Sequence, residues 1–193
     1  MPQIDPQRDL RILVVGNSAA GKSTLARALA DRLAIPHVEL DALYWQPQWQ
    51  TTAIDEFRRQ VAAAAAGDAW IADGNYMVVR DQLWPRATTV VWLNYSLPTV
   101  LARGVRRTLR RVVSREELFS RNRESIASLF GWNGIPLWIV RMHRRRRREL
   151  AATLQQPACQ RLRVYELTTR KHCDELLRLT PVGQHGAPRS TRS

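Results

Sequence analysis

Lysine is almost absent from this chain, cysteine is scarce, and no long apolar run occurs. Each shortage excludes something. The two cysteines, Cys159 and Cys173, stand alone, without the paired spacing of a zinc site or a disulfide framework, so reduced structural thiols are expected. No segment approaches the ~20 apolar residues that span a bilayer. The opening "MPQIDPQRDL" has no signal-peptide core, so a cytoplasmic protein without a membrane partner is expected. Acidic residues are missing where basic ones crowd: residues 101–148 hold 14 arginines against Glu116, Glu117 and Glu124, a local balance of +11 within a net charge of +13. A segment so basic suits highly charged phosphates or nucleic acid.

The shortage of lysine is the most informative. Of 30 basic residues only Lys22 and Lys171 are lysines, yet Lys22 directly follows a glycine at the end of a short apolar run. Arginine would carry the same charge. Lysine differs as a compact ammonium on a thin stem, able to enter a backbone cradle too narrow for a planar guanidinium. The surrounding stretch is "RILVVGNSAAGKSTLARALADRL". Ile12 to Val15 suit a buried parallel strand, Gly16-Asn17-Ser18-Ala19-Ala20-Gly21-Lys22-Ser23 fits G-x-x-x-x-G-K-[ST], and Leu25, Leu29 and Leu33 follow at helical spacing. Strand, glycine loop and helix are the context a P-loop requires. Gly16 through Thr24 are therefore expected to hold ATP. Backbone N–H groups and the helix N-terminus would cradle its phosphates, Lys22 would reach the β- and γ-phosphates, and Ser23 would ligate Mg²⁺.

At 193 residues the chain matches one ordinary domain. Residues 1–9 and 181–193, polar and with Pro and Gly, read as loose tails, leaving 10–180 as a single unit with a lid segment at about 103–148. "PHVEL" is a short strand running to Asp41, and residues 52–66 form a helix capped by Thr52. "AWIAD" is a strand ending at Asp73, "TTVVWLN" another, and Pro98 opens a helix. Helices are also predicted over about 115–130, 136–155 and 172–179, with a last strand in "RLRVYEL". Alternating strands and helices predict an α/β fold with a parallel sheet covered on both faces, its chemistry beyond the carboxyl ends of the strands.

Asp73 closes an apolar strand, as a Walker B aspartate does when it serves Mg²⁺; a turn cap in "DGNY" is the plain alternative. Asp41 could accept a proton from an acceptor hydroxyl, with Trp45 and Trp49 as a stacking wall, or it could cap a short helix. Arg103, Arg106, Arg107 and Arg110 share a helix face by spacing. Of these, Arg103 and Arg107 are taken as phosphate clamps and the others as solvated. The run Arg144 to Arg148 must face several directions, which favours a solvated surface or a nucleic-acid patch.

Taken together, "GNSAAGKST", "LDALYWQPQW", "WIADGNY" and the Arg-rich segment after "VVWLNYS" resemble the adenylate kinase-like P-loop proteins, most closely the FlaR-like, or DNA topology modulation, kinase group. The resemblance spans about residues 10–180 and implies strand order 2-3-1-4-5 with an arginine-rich lid. By the same analogy the adenine pocket lies near "TTRKHCDE". "DGNY" followed by Arg80 is similar to the Asp-Gly-x-Pro-Arg strand end of nucleoside monophosphate kinases, with Tyr76 in place of the proline. Two functions follow. One is a phosphotransferase moving the γ-phosphate of ATP, with Mg²⁺, to a small acceptor. The other is a nucleic-acid-associated NTPase or regulator gripping phosphate backbone with the basic segment. Residues 103–115 contain no aromatics to stack bases, which favours the first. The oligomeric state is open.

Overall fold

A computed structural model describes residues 3–114, 117, 119–121 and 134–183. Five strands form one sheet in the order β2-β3-β1-β4-β5: β1 (Arg11–Gly16), β2 (His37–Glu39), β3 (Trp70–Asp73), β4 (Thr89–Leu93) and β5 (Arg163–Leu167). All neighbours are parallel; Val14 of the central strand lies beside Asp73 on one side and Val91 on the other. This is the order the family resemblance implied. The helices are α1 (Lys22–Leu33), α2 (Leu40–Tyr44), α3 (Ile54–Ala64), α4 (Arg80–Leu83), α5 (Leu97–Ser114), α6 (Ile135–Leu154) and α7 (Arg170–Leu179).

The continuous apolar runs of β1, β3 and β4 reflect burial on both faces. Ile12 and Val14 point into one core with Leu25, Leu29, Leu33 and Leu176 of α1 and α7. Leu13 and Val15 point into the other with Phe57 and Val61 of α3, Trp70 and Trp92. Helix α6 serves both cores, through Ile139 near its start and Leu150 near its end. Its middle lies over the end of β4, where buried His143 bonds through Nε2 to Tyr95 O at 3.0 Å.

Several boundaries differ from expectation for identifiable reasons. Strand β2 stops at Glu39, and Asp41 belongs to α2. Thr52 does not cap α3, whose N-cap is Ala53; its hydroxyl instead donates to Leu43 O at 2.9 Å and is buried in the turn. Helix α5 ends at Ser114, and a single 3-10 turn follows at Phe119–Arg121; most of the helix expected over 115–130 lies outside the described residues. The described residues next to the ends make tertiary contacts. Ile4 is fully buried, and Asp9 accepts from Thr89 Oγ1 at 2.5 Å and Tyr165 OH at 3.1 Å. At the other end Gly183 N donates to Arg32 O at 2.7 Å. Cys159 and Cys173 are free and buried, and no described helix is long and apolar enough to cross a membrane.

Candidate active site

The glycine loop leaves the end of β1 and enters α1. Gly16 sits at φ 148° in a place where a Cβ would lie 2.6 Å from Leu93 O, and Gly21 caps α1 at φ 94°. Glycine is required at the first by lack of space and favoured at the second by the left-handed backbone. Ala19 is also left-handed, at φ 61°, while Ala20 is buried and its N–H bonds to Asn17 O at 3.2 Å. Ser18 lies half-buried in the loop, and Thr24 is exposed in the first turn of α1. Lys22 Nζ donates to Asn17 O at 3.1 Å. Burial pulls the Lys22 pKa below that of ordinary lysine, against the attraction of the Asp41 and Asp73 carboxylates and with the help of Arg146 and Arg107. The cradle thus holds one desolvated ammonium that feels two carboxylates and two guanidinium groups.

Asp73 ends β3 beside the loop. Ser23 Oγ donates to its Oδ2 at 2.6 Å, and His37 Nε2 lies 2.8 Å from its Oδ1. The residues expected to serve Mg²⁺ are therefore in contact across 50 positions of sequence. A hydroxyl and a carboxylate are hard oxygen donors, the set that suits Mg²⁺, which keeps several waters. No cluster of three or more His, Cys, Asp or Glu suited to an all-protein metal cage occurs among the described residues. Two partners carry no signal of this role in the sequence, where His37 reads only as part of a strand and Asn75 as a turn residue. Asn75 fastens Gly16, accepting from its N–H at 3.3 Å and donating to its carbonyl at 2.5 Å. The β2–β3 register, with His37 beside Ile71 and Glu39 beside Asp73, brings His37 to the site.

Asp41, in α2, accepts from Tyr76 OH at 2.5 Å. Burial first, and the Asp41 charge second, hold the Tyr76 pKa well above that of a free phenol, so Tyr76 stays neutral and donates. Asp41 Oδ2 has no hydrogen bond among the described residues, which leaves that oxygen able to accept. Trp45 and Trp49 do not line the cavity beside the loop. They meet edge to face at 5.5 Å, in an aromatic cluster reached through Tyr44. The cavity beside the loop, about 230 Å³, is instead walled by Tyr76, Trp84, Trp92 and Tyr95.

On α5, Val100, Gly104 and Thr108 are buried, and this fixes the helix's rotation. Arg103 donates to Ala20 O at 3.1 Å, with its guanidinium 4.4 Å from the Tyr95 ring centre. Arg107 is half-buried and close enough to Lys22 to depress its pKa, whereas Arg106 and Arg110 are exposed. The four do not converge; Arg103 and Arg107 alone turn toward the loop.

The arginine run of α6 requires a correction. Ile139, His143, Arg146 and Leu150 fall at i, i+4, i+7 and i+11, the spacing of a core stripe, and Ile139, His143 and Leu150 are buried. Arg146 occupies the same stripe, half-buried, and lines the cavity. Burial lowers its pKa and Asp41 opposes that. Arg144 and Arg148 are exposed, as a solvated run would be. The "TTRKHCDE" segment begins α7 beyond β5, where Thr169 Oγ1 caps the helix by accepting from His172 N at 3.3 Å.

A parallel sheet of order 2-3-1-4-5, with a glycine loop between its central strand and the first helix, is the P-loop kinase fold. Solved structures that share it include shikimate kinase from Bacteroides thetaiotaomicron, 14% identical over 88% of this chain and 94% of that chain, with a TM-score of 0.54. Shikimate kinase from Acinetobacter baumannii in complex with shikimate is 16% identical over 90% and 93%, with a TM-score of 0.51. A gluconokinase from Sinorhizobium meliloti 1021 is 17% identical over 89% of each chain, with a TM-score of 0.50. Identities this low speak to fold. No protein-family model matches the chain, and no curated protein matches it.

Proposed function

We propose that the protein is an ATP-dependent phosphotransferase of the adenylate kinase-like type, related to the FlaR-like group, which moves the γ-phosphate to the hydroxyl of a small acceptor. One observation carries the reading: the desolvated Lys22, the bonded pair Ser23–Asp73 and the carboxylate of Asp41 all meet at the carboxyl ends of β1 and β3. The solved structures of similar fold named above are a gluconokinase and two shikimate kinases, which supports it.

In this reading Gly16 through Thr24 hold the phosphates of ATP with loop N–H groups, and Lys22 neutralises the β- and γ-phosphates. Ser23 and Asp73 hold Mg²⁺, which supplies charge neutralisation at the phosphates. Arg103 and Arg107 stand where α5 faces the loop and offset charge on the transferring group. The acceptor oxygen bonds to the γ-phosphorus, the bond from that phosphorus to the β–γ bridging oxygen breaks, ADP leaves, and the hydroxyl proton passes to Asp41 Oδ2. Tyr76 holds Asp41 in place through its other oxygen.

The test is ATP consumption by the purified chain, screened against nucleoside monophosphates, sugars and small hydroxy acids, with a duplex-DNA lane. Stimulation by one small acceptor, with stoichiometric phosphorylated product, is expected. Stimulation by duplex DNA alone would replace this reading with that of a nucleic-acid-associated NTPase.

A further inference from the structure

Two half-buried arginines, Arg80 and Arg146, line the cavity beside the glycine loop, and their guanidinium groups are left open to it. Arg103 donates to a backbone carbonyl, and Arg86 donates to the three carbonyls Ala65, Ala66 and Gly67 at the end of α3. Arg80 and Arg146 make no hydrogen bond or ion pair to any described residue. Each faces a tryptophan ring, Arg80 at 4.8 Å from Trp84 and Arg146 at 5.6 Å from Trp138, and each feels the charge of Glu149 without a hydrogen bond to it. Both line the same cavity, and burial is the leading cause of a lowered pKa in both. A guanidinium presents five donors in a fixed fork, and a half-buried one with no protein acceptor is open to bidentate pairing with an anion. The one acidic side chain in the lining, Glu149, is already paired with Arg145 at 2.7 Å. An anion from solution is what the cavity's charge lacks.

Size narrows the ligand further. A volume of about 230 Å³ falls below the ~300–1,000 Å³ of drug-sized pockets, which suits a metabolite smaller than a nucleotide. The walls of Tyr76 and Trp92 provide apolar faces, while Asn17 and Asn75 provide neutral donors and acceptors. Tyr76, whose hydroxyl bonds to Asp41 at 2.5 Å, lines the cavity together with Gly16 and Asn17 of the loop, so an anion held there lies one side chain away from the proposed base and beside the phosphate cradle.

Resting on the phosphotransferase reading, we infer that this cavity is the acceptor site and that its acceptor is a small hydroxy compound bearing a carboxylate or phosphate. Arg80 and Arg146 bind the anionic group, and the hydroxyl faces Asp41. A neutral sugar or polyol leaves both guanidinium groups unsatisfied and binds poorly.

The experiment is calorimetric titration of the full chain, its loop first saturated with Mg²⁺ and β,γ-imido-ATP so that the added anion cannot bind there. The probes are matched pairs: gluconate against glucose, and glycerate and glycerol 3-phosphate against glycerol, with AMP as the nucleotide control. At least one anionic probe is expected to bind tenfold or more tightly than its neutral counterpart, as charge-assisted bidentate contacts allow. Arg80→Gln and Arg146→Gln should each weaken it about tenfold or more with the chain still folded by circular dichroism, and exposed Arg148→Gln should leave it unchanged. Equal binding of neutral and anionic partners, binding of none of them, preference for AMP, or unaltered affinity in both cavity variants would each overturn the inference. If β,γ-imido-ATP itself fails to bind, the phosphotransferase reading falls. The same titrations without it then show whether an Arg80- and Arg146-dependent anion site stands on its own.

Discussion

Lys22 is where one side chain's chemistry can be read most directly. Its pKa is lowered chiefly by burial, so in the ligand-free protein it gives up its proton below the 10.5 of ordinary lysine. Phosphates favour the charged form. Nucleotide binding at a pH near that lowered pKa should therefore take up protons, and affinity should decline as pH rises through it, before 10.5 is reached. Calorimetry in two buffers of different ionisation enthalpy reads the uptake, and a buffer-independent heat would count against a desolvated ammonium. Lys22→Arg keeps the charge but widens the head, and the expected loss of nucleotide affinity is about 100-fold, the scale of an ångström of misplacement. The two aspartates should separate cleanly. Asp73→Asn removes a carboxylate bonded to Ser23 and His37 and should abolish turnover together with the Mg²⁺ dependence of nucleotide binding. Asp41→Asn should leave Mg²⁺-dependent binding intact and lower transfer only. Equal loss of Mg²⁺-nucleotide binding in both would mean that the roles are wrongly divided.

At the scale of elements, rotation of two helices sorts identical residues into different fates. Buried Val100, Gly104 and Thr108 place Arg103 and Arg107 toward the loop and leave Arg106 and Arg110 in water. Losing one well-placed arginine in phosphoryl transfer commonly costs several powers of ten. Arg103→Ala or Arg107→Ala should thus slow ATP turnover at least ~100-fold, while Arg106→Ala and Arg110→Ala change it less than about threefold. Steady-state rates at saturating ATP decide this, and four similar values would mean that the face acts only through summed charge. Much of this level was legible. The glycine loop, strand and helix could be read because the motif is contiguous, and Arg103 and Arg107 could be singled out. Arg146 was hidden inside five like residues, although the stripe Ile139, His143, Arg146 and Leu150 marks it once α6's buried side is traced.

At the scale of the whole molecule, residues 3–9 are tied to the sheet and its core. Ile4 is fully buried, and Asp9 ties the segment to Thr89 of β4 and to Tyr165 of β5, with Arg163 at 3.3 Å. Ile4→Ala should cost about 2–5 kcal/mol of stability, the range for large-to-small core changes, measured by urea unfolding. A cost under ~0.5 kcal/mol would show the contact to be dispensable in solution. This packing is not legible because "MPQIDPQRDL" has neither strand nor helix periodicity; Ile4 is buried as a member of the core that also holds residues of α1, α7 and β5, not through a local pattern.

What the sequence by itself determined was everything written locally: the buried strands, the glycine cradle with its single lysine, the aspartate closing β3 and the concentration of positive charge in one segment. Periodicity and steric demand act over a few residues, so they survive in one dimension. The tertiary structure decided which distant groups meet. Asp73 reaches Ser23 and His37, Asn75 fastens Gly16, and Tyr76 engages Asp41, because parallel strands in the order β2-β3-β1-β4-β5 bring their carboxyl ends to one edge. It also decided that Trp45 and Trp49 pack together away from the cavity and that Arg80 and Arg146 face into it. Those outcomes depend on how whole helices rotate to bury their apolar stripes, a choice made by partners far away in the chain.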